Sequence, residues 1–143
     1  MHITSPAFEH NGRVPPKYSC NGANINPPLT IEDIPPGTES IAIIMDDPDA
    51  PGRTFLHWLI WDIAPTKEIA EDSAPGTEGR NDFGKVAYGG PCPPSGTHRY
   101  FFRVYALSTT VNLAEGSSRA DLERAMKGHI LAEAELIGLY AQT

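Results

Sequence analysis

Two histidines and a run of carboxylates are the residues of this chain best equipped for chemistry. The stretch MDDPDAPGRTFLHW (Met45 to Trp58) sets Asp46, Asp47 and Asp49 among prolines, then places His57 inside the apolar run FLHWLIWDI. A second histidine, His98, opens HRYFFRVYAL directly after GGPCPPSGT, Gly89 to Thr97. Two imidazoles and a carboxylate are the ligand types of a two-histidine, one-carboxylate metal site. They are also acid–base groups suited to hydrolysis. With the hydroxyl of Tyr100 and loop N–H groups they suit a third task, because an imidazolium makes strong charge-assisted hydrogen bonds to an anion. In that arrangement Asp47 orients a pocket histidine and favours its protonated form. A plainer reading of His57 is a core histidine bonded to a backbone carbonyl.

Enzyme motifs are lacking. There is no G-x-S-x-G elbow and no H-E-x-x-H, and neither cysteine neighbours a histidine in sequence. No catalytic residue, metal ligand or cofactor is assigned. The Gly89–Gly96 loop has the composition of a ligand wall. Glycine lets a ligand approach the backbone and its N–H groups, while proline limits the entropy lost on binding. A tight connection without a ligand fits the same composition.

The elements that must hold these groups read as strands. Fourteen prolines and 13 glycines cut the chain into short pieces, which points to a β-rich sandwich or barrel. Ser40–Met45, Phe55–Ile63 and His98–Leu107 are the strong strands, and Leu29–Ile34 is weaker. Alternation puts Phe55, His57, Leu59, Trp61 and Ile63 on one face. It puts His98, Tyr100, Phe102 and Val104 on one face of the third strand, with Arg99, Phe101, Arg103 and Tyr105 opposite. If the second and third strands neighbour each other, His57, His98 and Tyr100 meet at one mouth. A short helix follows the cap Ser118-Arg119-Ala120-Asp121 to about Lys127, where Gly128 stops it. The stripe Ile130, Ala134, Ile137, Ala141 predicts a second helix to about Tyr140. At least one cis X–Pro bond is expected, in DPDAP or GPCPP.

The 143 residues suit one domain, 1–143. A net charge of −7 argues against nucleic acid or an anionic membrane as a main partner. Cys20 and Cys92 are too few for a disulfide scaffold, and the reduced intracellular state is the default. The N-terminus lacks a signal pattern and no apolar run reaches membrane-spanning length, so a cytoplasmic location is expected.

At these same residues the chain resembles the phosphatidylethanolamine-binding protein family, the Raf kinase inhibitor-like proteins, and most closely their short bacterial and archaeal branch. The motifs are DDPDAP (Asp46–Pro51) followed by His57-Trp58, and YGGPCPPSGTHRYFFRVYAL (Tyr88–Leu107). KYSCNGANINPPL (Lys17–Leu29) and GHILAEAELIGLY (Gly128–Tyr140) extend the likeness over nearly the whole chain. The resemblance implies a mainly β fold: a two-sheet antiparallel β-sandwich with short C-terminal helices. It implies a non-enzymatic protein with a small pocket for phosphate-type anions such as a phosphoethanolamine head group. The family's pocket falls on Asp47, His57, Gly90, Pro91, Pro94, His98 and Tyr100, supported by Asp49, Trp58 and Gly89. Arg99 faces away from the ligand. An inhibitor of a serine protease or kinase is the alternative that the family suggests. A homodimer is a further expectation; nucleic-acid binding and stable membrane association are not expected. Longer eukaryotic members carry extra residues between the aspartate and histidine motifs, where this chain has only Gly52–Leu56.

Overall fold

Ser40–Asp47 is buried at all eight positions in the computed structural model, which describes residues 1–142. A strand with no polar-out alternation must be covered on both faces, and the architecture follows from that need. The strands in chain order are β1 (His2–Thr4), β2 (Gly12–Arg13), β3 (Leu29–Glu32), β4 (Ser40–Asp47), β5 (Phe55–Ile63), β6 (Glu68–Ile69), β7 (Thr77–Glu78), β8 (His98–Leu107) and β9 (Ile130–Tyr140). One helix, α1 (Arg119–Met126), precedes β9.

Six strands form the larger sheet in the order β2-β9-β8-β4-β5-β7, and β1-β3-β6 form the smaller one. The smaller sheet contributes Ile3, Leu29, Ile31 and Ile69 to a core shared with Ile41, Ile43, Met45, Trp58, Tyr100 and Phe102. The opposite face of the larger sheet, with Ala42, Ile44, Leu59 and Trp61, is covered by Leu122 and Met126 of α1. The sandwich is mainly β, as expected, but its larger sheet is mixed because β2 pairs with β9 in parallel.

The second predicted helix is a strand. Ile130–Tyr140 pairs with β8 from His98↔Tyr140 to Leu107↔Ile130. Its alanine, glutamate and leucine content suits a helix, but the edge of β8 needs a hydrogen-bonding partner and tertiary pairing overrides propensity. The inward face is read with period two, through Ala134, Leu136 and Tyr140. The expected pair of C-terminal helices is therefore a single helix. Its cap matches the sequence: Ser118 Oγ accepts the Asp121 N–H at 3.1 Å and Asp121 accepts the Ser118 N–H at 3.3 Å.

Strict alternation also fails in β5. Met45 pairs with Trp58 and Asp46 with Leu56, so His57 is an extra residue in a bulge. A second irregularity lies between Ile60 and Ile63, where Asp62 has φ of 55° and its carboxylate accepts the Val111 and Asn112 N–H groups. Ile63 consequently joins the main core while Leu59 and Trp61 face α1. On β8 the expected faces hold: Tyr100, Phe102 and Val104 enter the main core, and Arg99 and Arg103 lie over Phe101 on the other side.

No cis peptide bond occurs among the described residues, contrary to expectation. At Asp47-Pro48 the chain turns instead through the Asp47 side chain, which accepts the Asp49 N–H at 2.8 Å. Cys20 and Cys92 are joined in a disulfide with Cα atoms 5.5 Å apart, which overturns the reduced default. The proline loop packs on the turn after Tyr18, where Cys20 N–H donates to the Pro91 carbonyl at 3.0 Å. Among the described residues no helix is long and apolar enough to cross a membrane.

Candidate functional site

Because β4 runs antiparallel to both neighbours, its C-terminal end lies beside the N-terminal ends of β5 and β8. That topology gathers Asp47, His57, His98 and Tyr100 at one edge of the main core. They line a pocket of about 340 Å³ together with Phe55, Phe83 and the Cys92–Pro94 segment.

Each imidazole is held by its Nδ1. His57 Nδ1–H donates to the Gly89 carbonyl at 2.7 Å, and Gly89 N–H donates back to the His57 carbonyl at 3.0 Å. The plainer sequence reading of His57 is thus met, yet the ring also borders the pocket. It packs edge-on against Tyr100 (5.2 Å) and Phe83 (5.4 Å). Burial, which disfavours an imidazolium, holds His57 below its ordinary pKa despite the opposing effects of the Gly89 carbonyl and Asp47.

His98 Nδ1 lies 2.6 Å from Asp47 Oδ2, and both residues are buried. A carboxylate only accepts, so Nδ1 carries the proton and Nε2 is the ring's other polar atom. Asp47 therefore orients His98 rather than His57. Tyr100 supplies the third polar group. Among the described residues its hydroxyl, buried beside the Asp47 carboxylate and the Cys92 N–H, makes no well-formed hydrogen bond, and burial, then the Asp47 charge, pushes the phenol above its usual pKa. A buried polar atom left unpaired is costly, and such atoms in native proteins call for an explanation.

Asp49 braces the loop. Its carboxylate takes a bidentate pair from Arg99 at 2.9 Å and the Arg99 backbone N–H at 2.9 Å. The Arg99 contacts hold Asp49 at about 2, below its usual value. The guanidinium is turned outward, as expected. Asp46 faces the opposite side of the sheet and binds Arg103 and Arg119, which ties the start of α1 to β4.

Gly90 and Pro91 stand behind the pocket wall. Gly90 N–H donates to Asn24 Oδ1 at 2.8 Å, and a Cβ at Gly90 would lie 2.1 Å from the Tyr18 carbonyl. Pro91 holds Cys20 through its carbonyl. Pro94 does line the pocket. Trp58 is a core residue whose Nε1–H donates to Glu78 at 2.8 Å. Gly89 acts through its backbone on His57. Among the described residues no group of three His, Cys, Asp or Glu side chains is placed to hold a metal. Asp47 and His98 bind one another, and His57 binds a carbonyl.

Sequence reasoning missed Phe55 and Phe83 as lining residues. The signal for Phe83 was a lone aromatic in the loop GRNDFGK, which Asn81 shapes by accepting the Phe83 and Lys85 N–H groups. Phe83 is 44% exposed and edges onto Phe55, forming an apolar rim.

The molecule is thus a β-sandwich with a small, apolar-rimmed pocket in which two histidines, a tyrosine and an aspartate meet. The family model for phosphatidylethanolamine-binding protein matches residues 4–141, and the chain belongs to that family. A UPF0098 protein of Methanothermobacter thermautotrophicus is 47% identical, over 98% of this chain and 98% of its own length. The UPF0098 protein PH1269 of Pyrococcus horikoshii is 50% identical, over 95% of this chain and 74% of its own. Among solved structures, the phosphatidylethanolamine-binding protein homologue CT736 of Chlamydia trachomatis superposes with a TM-score of 0.96 at 38% identity, covering 99% of this chain and 97% of that one. E. coli YbcL gives 0.91 at 30% identity, covering 99% and 98%. Family membership supports a binding-type role.

Proposed function

We propose that this chain is a non-enzymatic binding protein whose pocket holds a phosphate-type anion, such as the phosphoethanolamine head group. One observation carries the reading: the Tyr100 hydroxyl is buried with no well-formed hydrogen bond among the described residues, in a pocket that also contains His57 and His98. A bound oxyanion would give that hydroxyl its missing acceptor. The apolar rim of Phe55 and Phe83 suits a ligand with some carbon skeleton, as small-ligand sites combine apolar walls with few polar groups. The test is titration of phosphoethanolamine and inorganic phosphate by two-dimensional NMR or calorimetry, with His57→Ala and His98→Ala as controls. Saturable binding that both substitutions abolish supports the reading. A folded protein that binds neither compound removes it.

A second reading, inhibition of a serine protease or kinase, is favoured by the exposed Pro94–Thr97 segment. It is anchored on one side by the disulfide and by Gln142 on the Pro93 carbonyl, and on the other by Arg99 on Asp49. Such anchoring is the preorganisation an inhibitory loop uses. Inhibition that survives both histidine substitutions would favour this reading over the first. The cytoplasmic location belongs to the proposal as well. It is compatible with Cys20–Cys92 if the cell interior tolerates disulfides, as in hyperthermophiles.

A further inference from the structure

The pocket that the preceding reading assigns to an anion contains hydrogen-bond acceptors where an anion needs donors. Both Nδ1 atoms are already committed as donors, to Gly89 and to Asp47. In a neutral ring the remaining Nε2 carries a lone pair. Asp47 adds a carboxylate to the lining. The Tyr100 hydroxyl is the one side-chain donor with no partner, and no lysine or arginine lines the pocket among the described residues.

The surrounding charges do not alter this balance. From β4, Asp46 is matched by Arg103 and Arg119 on the far side of the sheet. From the following loop, Asp49 is matched by Arg99 of β8. Among the described residues Asp47 forms its ion pair with His98, and its other oxygen accepts the Asp49 N–H. On His57 act the carbonyls of Gly89 and Gly90 and the charges of Asp47 and Asp46, while Tyr100 packs on its ring. A fully deprotonated oxyanion entering this space meets the imidazole lone pairs and a carboxylate, with the Tyr100 hydroxyl as its one side-chain donor.

We propose that the pocket takes its anion together with a proton, and therefore prefers an oxyanion that keeps an acidic hydrogen, a phosphate or phosphomonoester, over a sulfate or a phosphodiester that has none. The proton sits at an imidazole Nε2 or remains on the ligand oxygen facing it. In either place it turns a lone-pair contact into a charge-assisted hydrogen bond. Burial, which disfavours the His57 imidazolium, makes the coupling stronger, since a bound anion supplies the opposite charge that favours it. The proposal rests on the anion reading and adds the ionic form of the ligand. It also narrows that reading: a phosphoethanolamine head group still attached to its lipid is a diester and is disfavoured, whereas free phosphate and free phosphoethanolamine are not diesters.

The test is calorimetric titration of the unmodified protein with inorganic phosphate, sulfate and glycerophosphoethanolamine between about pH 5 and about pH 8. Each titration is run in two buffers of unlike ionisation heat, so that protons are counted. At the alkaline end phosphate should bind at least about tenfold more tightly than sulfate, the value of one hydrogen bond to a charged group. Sulfate affinity should rise about tenfold per unit fall in pH, with close to one proton taken up. Equal, pH-independent affinities with no proton uptake would overturn the coupling and leave the anion pocket standing. Glycerophosphoethanolamine binding more tightly than phosphate at the alkaline end would also overturn it, with the ammonium on Asp47. Absence of binding by all three at every pH would remove the anion reading itself.

Discussion

Asp47 and His98 lie 2.6 Å apart at adjacent strand ends, and that one contact sets the tautomer of the pocket's second histidine. It also leaves Tyr100, one turn of alternation further along β8, with its hydroxyl unpaired beside the same carboxylate. Function and stability are in tension at this point, and the tension can be measured.

Tyr100→Phe removes a buried hydroxyl that makes no well-formed hydrogen bond among the described residues. The variant should be as stable as the parent or more stable by about 1 kcal/mol, since the cost of an unsatisfied buried group disappears. Its phosphate affinity should fall about tenfold. Urea unfolding paired with calorimetry reads both. A destabilised variant with intact affinity would assign Tyr100 to packing alone.

Reduction of Cys20–Cys92, or the double substitution to serine, should lower stability by about 4 kcal/mol, because a cross-link over 72 positions restricts the unfolded chain. Thermal unfolding with and without a dithiol reductant measures this. Since Cys92 lines the pocket, anion affinity should weaken in the same samples.

Two groups give opposite ends of the acid range. Asp49 is held at about 2 against an ordinary 3.8, so between these values the unfolded chain binds more protons than the folded one. The Arg99–Asp49 contribution is complete above about 4 and is lost as the pH falls toward about 2. His57 is depressed below its ordinary 6.5, so its contribution is complete above that value and is lost as the pH falls through the folded-state value. Stability measured against pH should therefore decline on acidification in two stages. Asp49→Asn should flatten the lower stage and His57→Asn the upper one. Carbon-detected carboxyl titration should find Asp49 ionised down to about pH 2.

Asp46→Ala strips the buried partner from Arg103 and Arg119. Removing one member of a buried ion cluster costs about 3 kcal/mol, and here it also frees the start of α1. Hydrogen exchange should show earlier opening of Arg119–Met126 than in the parent.

The three long strands that carry the pocket could be read directly from the sequence, because aromatic and β-branched runs bounded by proline and glycine have few other solutions. The Asp47, His57, His98 and Tyr100 positions followed from the same strands and from the family motifs. Residues 130–140 misled for a definite reason. Alanine, glutamate and leucine suit a helix, and only the unmet hydrogen bonds of β8, a long-range fact, make the segment a strand. The bulge at His57 is equally non-local, since it exists only in the pairing of Trp58 and Leu56 with β4. The disulfide was invisible because sequence carries no distance between Cys20 and Cys92. The family motif puts Gly90 in the pocket; it stands behind the lining, where its missing side chain makes room for the Tyr18 carbonyl.

The link between Cys20 and Cys92 closes the intervening chain into a ring. Asp47 and His57 lie within that ring; His98 and Tyr100 lie on the tail beyond it. A pull applied at the two termini is carried by the tail and by the cross-link, and the ring stays slack and closed. Full mechanical extension of the oxidised molecule should thus fall short by the length of 72 residues, about 250 Å. Under load the pocket would come apart between its two halves, β4–β5 on one side and β8 on the other, while the half inside the ring bears no tension.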